Sequence, residues 1–171
     1  MPEVSLESLF DSYAVAVRRY LYRRLTHAAD PAATADDLTA DVFLIAWEKR
    51  ADIPVTDPLP WLYAVARRVL ANQRRRRTDV PVADLSELDA VDESDPAVLV
   101  CDDAVLAAAW RQLSARDREV LRLAAWEGLT GEALATALGI SAGGAAAALS
   151  RARARLTEEL SAAEVQETVA G

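Results

Sequence analysis

A helix-turn-helix is indicated by the run Leu134-Ala135-Thr136-Ala137-Leu138-Gly139-Ile140-Ser141. The small side chain of Ala135 lets two helices approach, and Gly139 permits a left-handed backbone turn between them. Ile140 is suited to the core between the two helices, and Ser141 is suited to capping the second one. We therefore predict a short helix, a tight turn and a longer second helix.

The second helix of this pair begins with small residues and continues into three arginines. Leu149 would close the core between the two helices. An ordinary helical hairpin has the same turn pattern, so the turn alone does not distinguish a hairpin from a DNA-binding motif. Arg151, Arg153 and Arg155 favour DNA binding, because phosphate contacts need cations near the docked helix.

Apolar residues recur at steps of three and four on both sides of this pair, which predicts amphipathic helices through most of the chain. Capping-box patterns mark two of the helix starts, Thr34 with Asp37 and Ser114 with Asp117. The last helix is predicted to end near Leu160. The predicted helices begin at or near Leu6, Thr34, Pro60, Val105, Ser114, Gly131 and Ala142. The predicted fold class is all-α.

Charge separates the chain into two parts around an acidic segment. The whole chain carries a formal net charge of −8. Residues 78–104 hold nine acids, two prolines and no base, and they show no sustained helical period. Charge repulsion and proline favour an extended, flexible linker there. We therefore predict two small helical domains, at 1–77 and 105–160, joined by this linker and followed by a frayed tail at 161–171.

The third predicted helix is strongly basic. Leu59 to Arg77 contains six arginines and no acid. A solvated charged face is the alternative interpretation, but so many arginines without a single acid favour an anionic partner such as nucleic acid. Trp61 and Tyr63 lie near the arginines and could stack on unpaired bases, although the spacing of Trp61 also suits the core.

Several functional classes are disfavoured by the residues present. A lone Cys101 and a lone His27 argue against a disulfide and against a Cys/His metal cluster. The sequence shows no Ser/His/Asp or Cys/His grouping, so we expect no enzyme activity and no cofactor. It also shows no signal-peptide pattern and no apolar run of about 20 residues, so we expect a cytoplasmic protein without membrane insertion.

Taken in order, these segments resemble the extracytoplasmic-function sigma factors of bacterial RNA polymerase. Asp36–Trp47 resembles the stretch that docks on the polymerase clamp helices, and Trp61–Arg68 resembles the promoter-melting helix. Leu113–Leu121 with Glu127–Thr130 resembles the opening of the second domain, which the helix-turn-helix completes. The resemblance extends over nearly all of Leu6 to Leu160.

The resemblance implies a sigma factor that binds core RNA polymerase and promoter DNA and promotes initiation by melting the minus-ten element. The implied polymerase contacts are Asp37, Asp41 and Phe43. The implied minus-ten contacts are Tyr63, Arg67, Arg68, Asn72, Arg74 and Arg75. The implied minus-thirty-five contacts are Ser141, Gly143, Arg151 and Arg155. Whether a dedicated anti-sigma protein also binds is left open by the sequence.

Two departures from the family pattern concern base recognition. Arg68 stands where many members have Asn, which bears on base preference at the minus-ten element. Ala142–Ala148 consists of alanine and glycine, whose side chains cannot donate hydrogen bonds to base edges. We therefore expect shallow sequence dependence at the minus-thirty-five element.

Two other functions fit part of the sequence. A helix-turn-helix transcriptional regulator of another kind would share the second domain, but it would not explain residues 34–77. A sigma-like protein that binds polymerase without reading promoters would fit the alanine-rich helix. Tight, specific duplex binding by the chain alone would favour the regulator.

Overall fold

The computed structural model describes residues 5–25, 28–78 and 103–170. These residues form seven α-helices and one short 3-10 helix and contain no strand, so the predicted all-α fold class is confirmed. The α-helices are α1 (Leu6–Tyr22), α2 (Pro31–Glu48), α3 (Leu59–Thr78), α4 (Ala104–Gln112), α5 (Ala115–Ala125), α6 (Gly131–Leu138) and α7 (Ala142–Ala170), and the 3-10 helix is Arg50–Asp52.

Part of the predicted organisation falls outside these ranges. Residues 79–102, which make up most of the acidic segment, are outside the described residues, and so are His27 and Cys101. The flexibility of the linker therefore stays a prediction.

In the first compact unit, Met1–Val82, helices α1, α2 and α3 pack against one another in all three pairings. Its largest fully buried side chains are Val17, Tyr20, Leu21, Val42 and Leu62. Each comes from the apolar face of its helix, so removal of that face from water stabilises the three-helix packing.

In the second compact unit, Ala83–Gly171, α7 packs against α4, α5 and α6. The predicted capping role of Ser114 is confirmed, because its Oγ accepts a hydrogen bond of 3.1 Å from the Asp117 amide. The core contains Leu113, Val120, Leu121, Ala148 and Ala152, with Trp110, Leu138, Leu149 and Leu156 packed against it. The predicted core position of Leu149 is thus confirmed.

The start of α2 differs from the prediction. Asp30 caps this helix, its Oδ1 accepting a hydrogen bond of 3.0 Å from the Ala33 amide, and Pro31 is the first helical residue. Thr34 is already inside the helix and donates through Oγ1 to the Asp30 carbonyl at 2.7 Å. The predicted Thr34–Asp37 capping box is therefore wrong. Asp followed by Pro is the stronger start signal, since proline fixes φ and needs no amide partner.

The end of α7 also differs from the prediction. The helix continues past Leu160 to Ala170, so the predicted helix end near Leu160 is wrong, and the fraying of 161–171 stays a prediction. Hydroxyls bond back to carbonyls one turn earlier, Ser161 to Thr157 at 3.1 Å and Thr168 to Glu164 at 2.9 Å. The segment contains three alanines, two glutamates and a glutamine, which favour helix without tertiary support.

No single helix among the described residues is long and apolar enough to cross a membrane. The same ranges contain no group of three His, Cys, Asp or Glu side chains that could hold a metal ion.

Candidate nucleic-acid interface

Helix α3 has a buried side and a basic side. Leu62, Ala66 and Val69 face the core, with exposed fractions of 7% or less. Arg68, Asn72, Arg75 and Arg76 are exposed and Arg67 is half-buried. Positions 68, 72 and 75 lie four and three residues apart, so they share one helix face. We call Arg67, Arg68, Asn72, Arg75 and Arg76 the basic face of α3.

Two arginines near the end of α3 make defined contacts with the protein. Arg75 Nη2 donates to Asn72 Oδ1 at 2.7 Å, which orders the basic face internally. Arg74 Nη2 instead donates to the Arg24 carbonyl at 3.2 Å, just after α1. Arg24 is itself buried, with its guanidinium 3.6 Å from the centroid of the Tyr20 ring. Arg74 therefore ties the basic end of α3 to the core.

Tyr63 lies in the core of the first unit. Its side chain is only 3% exposed, and its ring centroid lies 5.0 Å from that of Tyr20. A ring enclosed in this way presents no open face to a base, and the minus-ten contact of Tyr63 stays a prediction. Trp61, near the start of the same helix, is half-buried and retains a surface that a base could reach.

The outer face of α2, defined here as Asp37, Asp41 and Leu44, is exposed. Leu44 is 58% exposed, and Trp47, one turn further along, is 48% exposed. The three positions of the outer face follow one another at four and three residues, so they form one stripe. The stripe combines two carboxylates with a large apolar side chain.

Phe43 belongs to the core instead of this face. It is 4% exposed, and its ring meets Phe10 edge to face at a centroid distance of 4.9 Å. Phe43 therefore does not share the exposed stripe of Asp37 and Asp41, and its contact with polymerase stays a prediction. Thr39 could have indicated the buried position of Phe43. It is buried one turn earlier, and its hydroxyl is satisfied there by donating to the Ala35 carbonyl at 2.6 Å. If Thr39 is included among the core residues, the predicted buried face of α2 shifts to include Phe43, which lies one turn further along.

An ion pair joins α1 to α2 beside this face. Arg18 Nε donates to Asp36 Oδ1, and both side chains are substantially exposed. The hydrogen bond and the charge of Asp36 raise the pKa of the Arg18 guanidinium above its ordinary value. Arg18 thus partly offsets the acidic charge at the edge of the outer face of α2.

The helix-turn-helix predicted in the second unit is present. The chain bends by 91° between α6 and α7, within the range typical of this motif. Gly139 ends α6 in the left-handed conformation at φ +69°. The Ile140 amide donates to the Ala135 carbonyl at 3.1 Å, which satisfies the end of α6.

The first turns of α7 offer backbone and small side chains to solvent. Ser141 Oγ accepts a hydrogen bond of 3.1 Å from the Gly144 amide, so its predicted capping role is confirmed. Ala145 and Ala148 are buried against the rest of the unit. The exposed positions in this stretch are Ser141, Gly143, Ala146, Ala147, Ser150 and Arg151.

The arginines of α7 are not equivalent. Arg151, Arg153 and Arg155 are all exposed, but of the three only Arg155 has an ion pair to a buried carboxylate within the part of the chain that the structure describes. Arg155 Nη1 donates to Oδ2 of Asp117, a carboxylate whose side chain is only 9% exposed. Arg155 therefore bonds to a side chain of its own domain. The family resemblance implied that it contacts DNA together with Arg151.

Comparison with known proteins identifies both units. The sequence pattern of Sigma-70 region 2 matches residues 9–80, and that of Sigma-70 region 4 matches residues 104–156. SigL, an extracytoplasmic-function RNA polymerase sigma factor of Mycobacterium tuberculosis, is 30% identical over 143 residues, which cover 81% of this chain and 78% of SigL. The RNA polymerase sigma-E factor of Streptomyces antibioticus is 36% identical over 120 residues, covering 67% of this chain and 62% of that factor.

Solved structures show the same fold. The sigma factor RpoE in complex with the anti-sigma factor NepR, from Bartonella quintana, is similar with a TM-score of 0.58 and 25% identity, over 91% of this chain and 96% of RpoE. CnrH in complex with the cytosolic domain of CnrY has a TM-score of 0.58 at 23% identity, over 92% of this chain and 88% of CnrH. With both sigma-70 regions matched in order, the chain belongs to the extracytoplasmic-function family of RNA polymerase sigma factors.

Proposed function

We propose that this sigma factor directs RNA polymerase to promoters through three separate surfaces. The outer face of α2 binds core polymerase, the basic face of α3 holds the minus-ten strand, and the start of α7 contacts the minus-thirty-five element. The observation that carries the proposal is the basic face of α3, which displays arginines opposite a fully apolar side.

At the minus-ten element, the basic face of α3 is suited to a single strand. Arg68, Arg75 and Arg76 are exposed cations that can follow a phosphate backbone. Flipping one base out of the stack costs a few kcal/mol. Stacking of an unpaired base on Trp61 would return about 1–3 kcal/mol, and the phosphate contacts add to this. Together these contacts offset the cost of flipping and stabilise the melted strand.

At the minus-thirty-five element, α7 is suited to backbone contact more than to base readout. Ser141 and the first amides of α7 lie at a positive helix end, which favours phosphate. Arg151 adds a cation on the exposed side. Gly143, Ala146 and Ala147 have no hydrogen-bonding side-chain groups, so they contribute at most apolar contact with a thymine methyl.

The same proposal extends to the cellular setting. We place the protein in the cytoplasm as a non-enzymatic subunit. RpoE was solved with an anti-sigma factor, and by likeness we propose that a partner of that kind regulates this chain.

Run-off transcription tests the function directly. Core polymerase with and without the chain would be supplied with fragmented genomic DNA, and new transcripts would be mapped to their start sites. The proposal expects start sites that share a minus-ten sequence and depend on the chain. Tight duplex binding without polymerase would support an autonomous regulator, and polymerase binding without new start sites would support a sigma-like protein that reads no promoter.

A further inference from the structure

The start of α5 carries a buried acidic side chain that is bonded from two sides. Asp117 is 6% exposed as a residue and lies in the first turn of α5. Its Oδ2 accepts a hydrogen bond of 2.9 Å from Ser114 Oγ and a second from Arg155 Nη1. Since Arg155 belongs to α7, this carboxylate links the first turn of α5 to the helix that carries the DNA-facing positions.

The corner at which α4 meets α5 is held firmly on its own. Arg118, the next residue, is 4% exposed. Its Nε donates to the Leu113 carbonyl at 3.0 Å, and its Nη2 donates to the Arg111 carbonyl at 3.1 Å. These bonds satisfy the end of α4, so the corner is a fixed point to which Arg155 attaches α7.

The packing of α7 explains why such an attachment matters. The fully buried side chains of its first half are Ala145, Ala148 and Ala152, and the half-buried Leu149 and Leu156 pack beside them. The alanine side chains are short and interlock little, so rotation of the helix about its axis is restrained mainly by the two leucines and by directional contacts. A charge-assisted hydrogen bond is directional and restrains that rotation.

We propose that Arg155 is a positioning residue, which acts through Asp117 to fix the rotation of α7 and hence the presentation of Ser141, Gly143 and Arg151 to promoter DNA. The proposal rests on the proposed function of α7. Arg155 does not serve as a phosphate contact, because turning to DNA would leave the buried carboxylate of Asp117 without its cation. The two roles predict a different effect of Arg155→Gln on the salt dependence of promoter affinity: a phosphate contact would change it, and a positioning role would not.

The test uses polymerase holoenzyme with the full-length chain and measures promoter affinity over a range of salt. The variants are Arg155→Gln, Asp117→Asn, the double variant, and Arg151→Gln as the matched loss of one arginine. Loss of one phosphate contact makes the negative slope of log affinity against log salt shallower by about 0.9. We expect that change for Arg151→Gln only.

For Arg155→Gln and Asp117→Asn we expect a loss of affinity of roughly three- to tenfold with an unchanged salt slope. The double variant should be no weaker than either single variant, because both changes break one link. A shallower salt slope for Arg155→Gln together with parental affinity for Asp117→Asn would show a phosphate contact. Unchanged affinity in both variants, measured well below their unfolding temperatures, would show a merely structural pair.

A second measurement needs no DNA. Amide hydrogen exchange in the chain alone should speed up at Gly144 and Ala145 in Arg155→Gln and in Asp117→Asn, but not in Arg151→Gln. Parental exchange rates in both would overturn the positioning role. If the parental holoenzyme failed to bind promoters, the proposed function would be wrong, and the exchange data would still decide whether Arg155 orients α7.

Discussion

Asp37 and Asp41 lie one turn apart on the outer face of α2, and both are exposed. Replacing both with Arg should lower affinity for core polymerase by at least about a hundredfold, because like charges brought together across an interface cost several kcal/mol. Helical content should stay unchanged, since neither side chain is part of the core. A binding assay with labelled core polymerase measures the effect.

The matched control for this charge reversal is Glu158→Arg with Glu164→Arg. Both glutamates are exposed on α7, and both lie beyond the part of the chain that matches Sigma-70 region 4. The control makes the same change in net charge, so it should bind polymerase like the parent. Equal losses in both double variants would mean that overall charge, and not the outer face of α2, governs binding.

Phe43 and Leu44 are neighbours in sequence with opposite surroundings, 4% and 58% exposed. Phe43→Ala should lower the free energy of unfolding by about 3–5 kcal/mol, because it removes a ring packed on Phe10. Leu44→Ala should change stability by less than about 0.5 kcal/mol but weaken polymerase binding. Urea denaturation and the polymerase assay separate the two effects. A stable Phe43→Ala variant with weak polymerase binding would support the polymerase contact of Phe43 that the family resemblance implies.

Helix α7 is the element with the most distinctive consequence for promoter choice. Its exposed positions Gly143, Ala146 and Ala147 have no side-chain donor or acceptor. We therefore expect transcription to vary little across a library randomised at the minus-thirty-five element and strongly across one randomised at the minus-ten element. Arg151→Ala should weaken transcription by similar factors for all minus-thirty-five variants, as loss of a phosphate contact would. Sequencing of transcripts from both libraries provides the measurement. A sharp minus-thirty-five consensus would contradict the prediction.

The elements that could be predicted from sequence are those whose signals are local. The turn at Gly139 requires a residue that adopts a left-handed conformation, and Ser114 accepts its hydrogen bond from the Asp117 amide only three residues away. Both features could therefore be predicted without tertiary information. The inward turn of Phe43 could not, because it depends on burial of the polar Thr39. The partner of Arg155 could not either, because Asp117 is distant in the chain and only the fold brings the two side chains together.

Over the whole molecule, positive charge is local although the chain as a whole is acidic, with a net charge of −8. The chain alone should therefore bind promoter duplex no better than non-specific proteins do, with Kd of about 10⁻⁴–10⁻⁶ M. In holoenzyme the polymerase contributes its own contacts, so promoter affinity should rise strongly. Fluorescence anisotropy with labelled duplex, with and without core polymerase, tests this. Tight binding by the chain alone would contradict it.

Mutations on the two sides of α7 should have different effects, on folding at the buried side and on DNA contact at the exposed side. Ala145 and Ala148 support the fold, whereas a side chain added at Gly143 would meet no atom within 4 Å, and Ala146 and Ala147 are exposed. Polar substitutions at these three positions should therefore be nearly neutral for folding, yet each could supply a donor or acceptor to a base edge. Genetic drift can explore them at little cost to the protein. A sigma factor of this design is well placed to diverge towards new promoters by single substitutions after gene duplication.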